Sequence, residues 1–457
     1  MTYPPALSRA GHARALMALG LPLIGSNLAQ MLLHVTDTVM LGWYGVTELA
    51  AVVLGASAFF IVFILGSGFA QAVMPMAAAA LGRGDEAQVR RDTRMGLWLS
   101  IGFGLFSYPL FWWSDPILRA LGQAADVSAL AQDYLRIAAW GMVPALLVMV
   151  LKSYLAASER TAVVLWITVL AVGVNAGINY ALIFGRFGAP EMGVKGAAVA
   201  SVFTQVATFV ALALYAHFQP DLRRFHLFQR FARPDWQAMG QVFRMGWPIG
   251  LTGLAEGGMF QATALMMGWI GTMQLAAHGI ALEVTALAFM VHLGFSNAAT
   301  VRVARALGRG DVVALRRGAG VALMLSLGFG LTMVVLFLAL SAPIVALFLD
   351  AQNPQTTEII AYGSILLALS ALFQMVDAAQ VMAMGFLRGL HDTRVPMWIA
   401  TLSYWVIGIP ASYVFAFPLN FGGAGLWLGL TTGLTVAALL LMTRFWRRAS
   451  RLSRPGL

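Results

Sequence analysis

Apolar residues dominate the chain in long runs, and short stretches between the runs hold most of the charged residues. A membrane-spanning helix needs roughly 20 mostly apolar residues, which these runs supply. They are too long and too uniformly apolar for barrel strands, and a helix satisfies its backbone hydrogen bonds internally. The pattern predicts an all-α integral membrane protein with twelve spans, near 15–41, 50–80, 95–113, 133–154, 162–184, 194–216, 245–268, 277–303, 318–340, 359–386, 397–418 and 424–443.

The composition agrees with a lipid environment and excludes several kinds of chemistry. Hydrophobic residues make up 60% of the 457 residues and charged residues 11%, whereas a soluble protein is about a quarter charged. The absence of cysteine rules out disulfides, thiolate catalysis and Cys-ligated metal sites. The sequence contains no GxxxxGK[ST] phosphate loop, no HExxH and no nucleophile elbow. We therefore expect neither an enzyme nor a bound cofactor.

The basic residues predict the orientation of the chain. With both termini in the cytoplasm, 25 of the 29 Lys and Arg fall on the inside, and only Arg119, Arg136, Arg186 and Lys195 fall outside. This asymmetry is typical of cytoplasmic loops and needs no nucleic-acid partner to explain the net charge of +10. We expect a multi-pass inner-membrane protein with both termini cytoplasmic.

The chain repeats itself at an offset of 226 residues. LGLPLIGSNLAQ at 19–30 matches MGWPIGLTGLAE at 245–256, and ALGRGD at 80–85 recurs at 306–311, where we expect a helix-ending turn. Six spans per half give both halves the same orientation, with a pseudo-two-fold axis along the membrane normal. We predict an N-terminal six-helix lobe at 1–216, a cytoplasmic linker at 217–244 and a C-terminal six-helix lobe at 245–457.

Four acidic residues lie inside the apolar runs, namely Asp37, Glu256, Glu283 and Asp377. A charge at the middle of the bilayer costs about 2.5–3.5 kcal/mol on insertion scales, which makes a function the better explanation for it. No Lys or Arg lies deep in any span, so we expect these acids to have no permanent basic partner. Such carboxylates take up a proton, bind a metal cation or receive a cationic ligand.

Polar side chains accompany these acids at helical spacing. One stripe runs along the first span, one along the tenth, and a pair lies on the fifth: Asn27, Gln30, His34 and Asp37; Ser370, Gln374 and Asp377; Asn175 and Asn179. Glu256 is the repeat equivalent of Gln30. A polar lumen explains the stripes, although intramembrane Asn and Gln more often form helix-to-helix hydrogen bonds. For His34 a bond to a neighbouring carbonyl is an equal alternative, and Glu283 can instead pair with His278 or His292.

Three segments resemble the multidrug and toxic compound extrusion (MATE) family, specifically its NorM-type branch. They are LPLIGSNLAQMLLHVTDTVMLGWYG at the start, NAGINYALIFGRFGAPEMGVKGAAVAS across spans 5 and 6, and MGFLRGLHDTRVP after span 10. The resemblance implies two six-helix lobes and a bacterial inner-membrane antiporter that exports organic cations, such as drugs and dyes, in exchange for Na⁺ or H⁺. It also implies that the lipid-embedded chain acts by alternating access; we expect it to be a monomer.

The resemblance assigns roles to individual residues. Glu256 and Asp377 match the acidic pair that binds the coupling cation, or Na⁺ as a metal, and Asp37 matches the acid of the first lobe. Candidate substrate contacts are Asp37, Gln30, His34, Asn175, Asn179, Gln374 and Phe373. Pro22 matches a proline at which the first helix bends. The chain departs from the pattern at Glu283, where relatives often have Asn, and at Phe373, where they can have Tyr; with Glu283 added to the cluster, the identity of the coupling ion stays open.

Two other functions compete with cation efflux. A flippase for lipid-linked precursors from the same superfamily would need a basic cavity for a pyrophosphate headgroup, and this chain offers acids inside its spans. An intramembrane aspartyl protease would need two aspartates in close approach. Asp37 and Asp377 lie in opposite halves of the chain and no catalytic motif surrounds them, so this alternative is the weaker.

Overall fold

The computed structural model describes residues 8–229, 231–349 and 355–452, and almost all of them are helical. Arg230 and Arg454, two of the basic residues assigned to the inside, lie outside these described residues. The helices are α1 (Arg9–Tyr44), α2 (Val46–Arg83), α3 (Glu86–Trp112), α4 (Ser114–Ala120), α5 (Ala125–Ala157), α6 (Thr161–Phe184), α7 (Val194–Phe218), α8 (Pro220–Arg223), α9 (Trp236–Ile270), α10 (Thr272–Arg309), α11 (Val312–Ala346), α12 (Thr356–Gly389), α13 (Arg394–Leu402), α14 (Ile409–Ala416) and α15 (Gly422–Arg451).

The predicted spans are present as helices. Among the described residues, eleven helical segments are long and apolar enough to cross a membrane, with α13 to α14 counted as one. The remaining predicted span corresponds to α9, whose 35 residues include several glycines and the polar Thr252 and Glu256, which lower its hydropathy. The all-α membrane fold with twelve spans is therefore confirmed. α9 begins at Trp236, inside the predicted linker 217–244, because Asp235 caps it by accepting a hydrogen bond from the backbone N–H of Ala238 (3.1 Å).

The repeated ALGRGD motif ends a helix in the same way in both halves. Gly84 and Gly310 adopt left-handed conformations with φ of 75° and 72°, as glycines after a helix end commonly do. The following aspartate then caps the next helix: Asp85 accepts from the N–H of Gln88 at 2.9 Å and Asp311 from that of Ala314 at 2.8 Å. The predicted helix-ending turns are confirmed, and the repeat extends to local backbone geometry.

By internal contacts the chain divides into a first unit, Gly25–Gly250, and a second unit, the described parts of Met1–Ile24 and Leu251–Leu457. The division falls two residues after Pro22 and two residues after Pro248, each inside a long helix. The lobe boundaries predicted from the repeat stay a prediction. The contact-based units differ from them because the N-terminal halves of α1 and α9 pack with helices of the other half of the chain.

In both units, glycines allow the N-terminal half of α1 or α9 to pack closely against a helix of the other half of the chain. In the first unit, a Cβ on Gly68 of α2 would lie 2.3 Å from the carbonyl oxygen of Gly246 in α9. In the second unit, a Cβ on Gly294 of α10 would lie 2.4 Å from Cγ1 of Ile24 in α1. Gly68 and Gly294 are 226 residues apart, as are Ile24 and Gly250. The close backbone approach that only glycine allows is thus itself part of the repeat.

The segment after α7 is fastened to the first unit. The Trp98 indole N–H of α3 donates to the carbonyl oxygen of Phe231 at 2.9 Å, and the two rings stack with centroids 6.0 Å apart. Arg91 donates to Asp235 at 2.5 Å. This hydrogen bond lowers the pKa of the Asp235 carboxyl below its ordinary value. The start of α9 is therefore held against α3.

The span predicted at 397–418 is interrupted by a π-helical turn, Ser403–Gly408, between α13 and α14. Pro410 follows this turn and has no N–H to continue the α-helical hydrogen bonds, which accounts for the widened turn. Tyr404 is the second residue of the turn and is completely buried. Turns of this kind frequently occur at functional sites, and this one places a phenol in the second unit's polar cluster.

Candidate functional site

The first polar cluster surrounds Asp37, a half-buried residue in the second half of α1. Its Oδ1 accepts a hydrogen bond from Nδ2 of Asn179 at 2.5 Å, and its Oδ2 accepts from the hydroxyl of Ser201 at 3.2 Å. Asn179 belongs to α6 and Ser201 to α7, so three helices converge on one carboxylate. All donors in these bonds are neutral, and the negative charge is therefore hydrogen-bonded without being neutralised.

A second layer supports the donors of this cluster. Asn179 also donates from Nδ2 to Oδ1 of Asn175 at 3.0 Å, one helical turn earlier. Asn175 in turn donates to the hydroxyl of Thr204 at 3.4 Å, and that hydroxyl donates to the carbonyl of Ala200. Both asparagines therefore form the helix-to-helix bonds that intramembrane amides usually form, and these bonds position them beside Asp37.

One oxygen of this cluster has no hydrogen-bond partner in the part of the chain that the structure describes. The side-chain oxygen of Asn179 is buried and accepts no hydrogen bond from the described residues. Buried carbonyl oxygens are normally paired, by protein or by water. An oxygen beside an ionised carboxylate is a suitable ligand for a cation, a protonated amine or a water. The first cluster thus has the donor and acceptor set of a cation-receiving site.

Two further residues of the α1 stripe, Gln30 and His34, lie in surroundings different from those of Asp37. Gln30 accepts a hydrogen bond from the Lys152 ammonium of α5 at 2.8 Å. The imidazole of the exposed His34 has an edge-to-face contact with Phe60, their centroids 6.5 Å apart, and forms no hydrogen bond to any described residue. The structure therefore links Gln30 to a basic residue, while the carbonyl bond offered as an alternative for His34 is not formed.

The second polar cluster combines α9, α12 and the π-helical turn. Asp377 is almost fully buried and interacts electrostatically with Glu256. Nε2 of Gln380, three residues after Asp377, donates to the Tyr404 hydroxyl at 2.6 Å. The phenol interacts electrostatically with both acids. Glu256 and Asp377 therefore lie close enough to interact, together with two polar side chains that the prediction did not include. Their role as the pair that binds the coupling cation stays a prediction.

The second cluster also contains a basic residue. Arg388, eleven residues after Asp377 and therefore on the same face of α12, interacts electrostatically with Glu256. The expectation that the intramembrane acids have no basic partner is wrong for Glu256. Arg388 is the penultimate residue of α12, and a long flexible side chain can extend from a helix end towards a charge within the membrane.

Two acceptor atoms of the second cluster receive no hydrogen bond from a described residue. Oδ2 of Asp377 and Oε1 of Gln380 are buried without a hydrogen bond from any described residue. An unsatisfied buried carboxylate oxygen costs free energy unless it binds a proton or a cation. Among the described residues, no group of three or more His, Cys, Asp or Glu that could hold a metal ion is present. A sodium site here would draw on two carboxylates with amide and phenol oxygens, and sodium binding stays a prediction.

Glu283 is on a different side of its helix from the second unit's core. It is exposed, whereas its neighbours Val284 and Thr285 on α10 are buried. The electrostatic partners of Glu256 and Asp377 do not include it. The alternative pairing with a histidine is not formed among the described residues. His292 bonds to Ser326 and Gln374, and His278 accepts a hydrogen bond from the Trp427 indole N–H.

The predicted substrate contacts on α12 are enclosed within the second unit. Phe373 is 1% exposed and has edge-to-face contacts with Phe260 and Trp427. Gln374 is fully buried, with Oε1 3.2 Å from Nε2 of His292 and Nε2 donating to the carbonyl of Thr285 at 3.2 Å. Both amide atoms of Gln374 are used in packing α12 against α10.

Five residues that complete the clusters were not identified from the sequence: Ser201, Thr204, Gln380, Arg388 and Tyr404. Ser201 and Thr204 are three residues apart in an apolar span, and Gln380 and Arg388 extend the stripe of Asp377 at helical spacing. Spacing could have identified these four. Tyr404 is brought to the site by the π-helical turn, which alters the helical register in a way that regular periodicity does not predict.

The comparisons with known proteins agree on one family. The MatE family model matches residues 22–181 and 248–414, so that its second match begins 226 residues after the first, at the offset of the internal repeat. The chain is 46% identical over 442 residues to the "Probable multidrug resistance protein NorM" of Rhizobium meliloti (strain 1021), covering 97% of this chain and 95% of that protein. It is 44% identical to the protein of the same name from Agrobacterium fabrum (strain C58 / ATCC 33970), covering 95% and 93%. The solved structure "Crystal structure of MATE in complex with MaL6" superposes with a TM-score of 0.88 at 21% identity and 97% coverage of both chains.

Proposed function

The chain belongs to the MatE family of multidrug and toxic compound extrusion transporters, and we propose that it is a multidrug efflux antiporter that exports organic cations in exchange for Na⁺ or H⁺. The NorM proteins that it resembles are bacterial multidrug resistance proteins. The multi-pass helices and these relatives support the bacterial inner membrane as its location. Both termini on the cytoplasmic side, as the basic loops predict, complete the proposal.

The acidic pair of the second unit carries the coupling in this proposal. Glu256 and Asp377 interact electrostatically, and Asp377 leaves an oxygen unsatisfied in a buried position. Two neighbouring carboxylates repel one another when both are ionised, so a proton or Na⁺ relieves an unfavourable arrangement. This pair of neighbouring acids, with its unsatisfied Asp377 oxygen, is the observation on which the proposal chiefly depends.

The Asp37 cluster is proposed to receive the cationic group of the substrate. Its carboxylate is bonded by neutral donors alone, and Asn179 adds an acceptor oxygen. A charged amine or quaternary ammonium group gains an electrostatic partner there, while neighbouring apolar side chains accept the rest of an amphipathic molecule. Asn175, itself bonded to Thr204, holds Asn179 in position for this contact.

Alternating access converts ion binding into export in this scheme. Binding of the coupling ion neutralises the second cluster and lowers the cost of enclosing it, and release of the ion to the cytoplasm restores the negative charge. An inward-moving cation gains about 2.3 kcal/mol for each charge and 100 mV of membrane potential. Pro22 and Pro248, which lie inside α1 and α9, are the proposed positions at which these helices bend.

Reconstituted protein tests the proposal directly. Proteoliposomes containing ethidium are placed under an imposed Na⁺ gradient and, separately, under an imposed proton gradient. We expect one of the two gradients to drive ethidium across the membrane faster than in protein-free liposomes. If neither gradient changes ethidium movement in proteoliposomes whose protein is folded and inserted, the antiport proposal is wrong.

A further inference from the structure

A groove of the second unit is lined by residues that belong to neither polar cluster. It is formed by the first residue of α1, the first four turns of α11 and the end of α15, and its volume is about 250 Å³. A single water needs only about 10–15 Å³ of such space, so the groove can admit a group of many atoms. The described residues that line it are Arg9, Arg316, Arg317, Gly320, Val321, Met324 and Trp446.

The lining combines concentrated positive charge with an apolar extension. Arg9, Arg316 and Arg317 are exposed, and none of the described lining residues is acidic. Guanidinium groups bind phosphate oxygens in a bidentate manner, which makes Arg the usual residue for phosphate recognition. Three of them around one groove, with no carboxylate among the described lining residues to neutralise them, favour an anionic ligand.

The apolar residues of the groove continue along α11. Met324 lies seven residues after Arg317, about 10 Å along the helix axis at 1.5 Å per residue, and Val321 occupies the same face between them. Met324 is 64% exposed, and a Cβ on Gly320 would meet no atom within 4 Å. Val321 itself is buried, so the surface beyond the arginines is formed by the open side of Gly320 and by the exposed Met324. This surface is apolar and accessible, as an acyl chain requires.

We propose that this groove binds an anionic phospholipid of the cytoplasmic leaflet, with its phosphodiester at the three arginines and an acyl chain along Gly320 and Met324. Basic pockets between helices on the cytoplasmic side are the sites at which cardiolipin-type headgroups bind membrane proteins. Trp446 also lines the groove, and tryptophan is enriched at the headgroup level of membranes. The positive-inside orientation places this end of α11 at the cytoplasmic leaflet.

Lipid titration of the purified protein tests this site. The protein in dodecyl maltoside is titrated with cardiolipin, phosphatidylglycerol or phosphatidylcholine, and retained lipid is counted by native mass spectrometry. The wild type should retain one anionic lipid and discriminate at least about tenfold against phosphatidylcholine, a factor of ten being 1.4 kcal/mol. Arg316→Gln combined with Arg317→Gln should lose most of this preference.

Two further variants keep the test independent of folding. Arg83→Gln with Arg447→Gln removes the same charge from two exposed arginines outside the groove and should bind lipid like the wild type. Gly320→Leu fills the open space without changing charge, and it should weaken retention of the anionic lipid.

Three results would overturn the proposal. The first is undiminished anionic lipid retention in both groove variants. The second is an equal loss in the control variant, which would indicate a general charge effect. The third is full competition by millimolar inorganic phosphate or glycerol phosphate, which would identify a site for a free anion instead of a lipid.

Discussion

Nδ2 of Asn179 lies 2.5 Å from Oδ1 of Asp37 and donates a hydrogen bond to it across α6 and α1. With Ser201 bonded to the other oxygen, the carboxylate is held by two helices and faces no basic side chain in these bonds. Rigid orientation without neutralisation suits a carboxylate that exchanges one mobile cation for another. The two asparagines of α6 are therefore important as supports for the acid.

Asp37→Asn is expected to impair export without unfolding the protein. The substitution keeps the shape of the side chain and removes its charge, so a cationic substrate loses a charged hydrogen bond of about 1.5–3 kcal/mol. That loss corresponds to a fall in substrate affinity of roughly 10- to 100-fold, measured as the KM for ethidium in proteoliposomes. Thr38→Ala, next along α1, loses only a bond to its own helix and should keep the wild-type KM.

Tyr404→Phe should change the response to the coupling ion as well as the stability. The variant deprives Gln380 of its bonding partner in a cluster that already has unsatisfied oxygens. We expect the ion concentration for half-maximal transport to change several-fold. The free energy of unfolding should fall by about 1–3 kcal/mol at most. Equal ion dependence in the variant and the wild type would show that the phenol is not part of the ion site.

Gln374→Ala is expected to act mainly on stability. The residue's amide bonds to His292 and to the Thr285 carbonyl, so truncation leaves buried groups on α10 unpaired. A loss of about 1–3 kcal/mol for each unpaired group is expected, measured by thermal denaturation in detergent. A variant with wild-type melting behaviour and a raised substrate KM would instead support the predicted substrate contact.

Gly246→Val should destabilise the first unit. A Cβ at this position would lie 2.7 Å from Cα of Phe69, part of the backbone of α2, which cannot yield as a flexible side chain can. Overpacking of this kind typically costs about 1–3 kcal/mol, and a lower melting temperature should report it. Gly240→Val is the matched control, since a Cβ there meets no atom within 4 Å; comparable destabilisation in both variants would contradict the packing argument.

Much of the fold follows from sequence periodicity. Runs of apolar residues predict the helices, and the 226-residue repeat predicts the paired turns at Gly84 and Gly310 because a motif repeated residue by residue repeats its local backbone. The packing of the N-terminal halves of α1 and α9 with helices of the other half of the chain was not predicted. The change of packing partners occurs just after Pro22 and Pro248. It depends on which helices pack together over long sequence separations, and the glycines that permit it have no side chain to indicate a partner.

The candidate site was predicted in part for a similar reason. Acids such as Asp37 and Asp377 are conspicuous because charge is rare inside the membrane. Serine, threonine and tyrosine are common in apolar helices, so Ser201 and Tyr404 gain meaning only when a carboxylate lies beside them. Glu283 shows the converse: its charge attracts notice in the sequence, while its exposed position on α10 separates it from the second cluster's electrostatic contacts.

Ion-coupled ethidium transport by carboxamide variants of the acidic pair tests the central claim most directly. Glu256→Gln and Asp377→Asn are compared with Glu358→Gln, an exposed acid in the first turn of α12, at matched levels of reconstituted protein and under the gradient that drives the wild type. We expect gradient-driven ethidium export to fall at least about tenfold, equivalent to 1.4 kcal/mol, in the first two variants and to remain unchanged in the third. Export at the wild-type rate by Glu256→Gln and Asp377→Asn would contradict the assignment of this pair as the coupling-ion site.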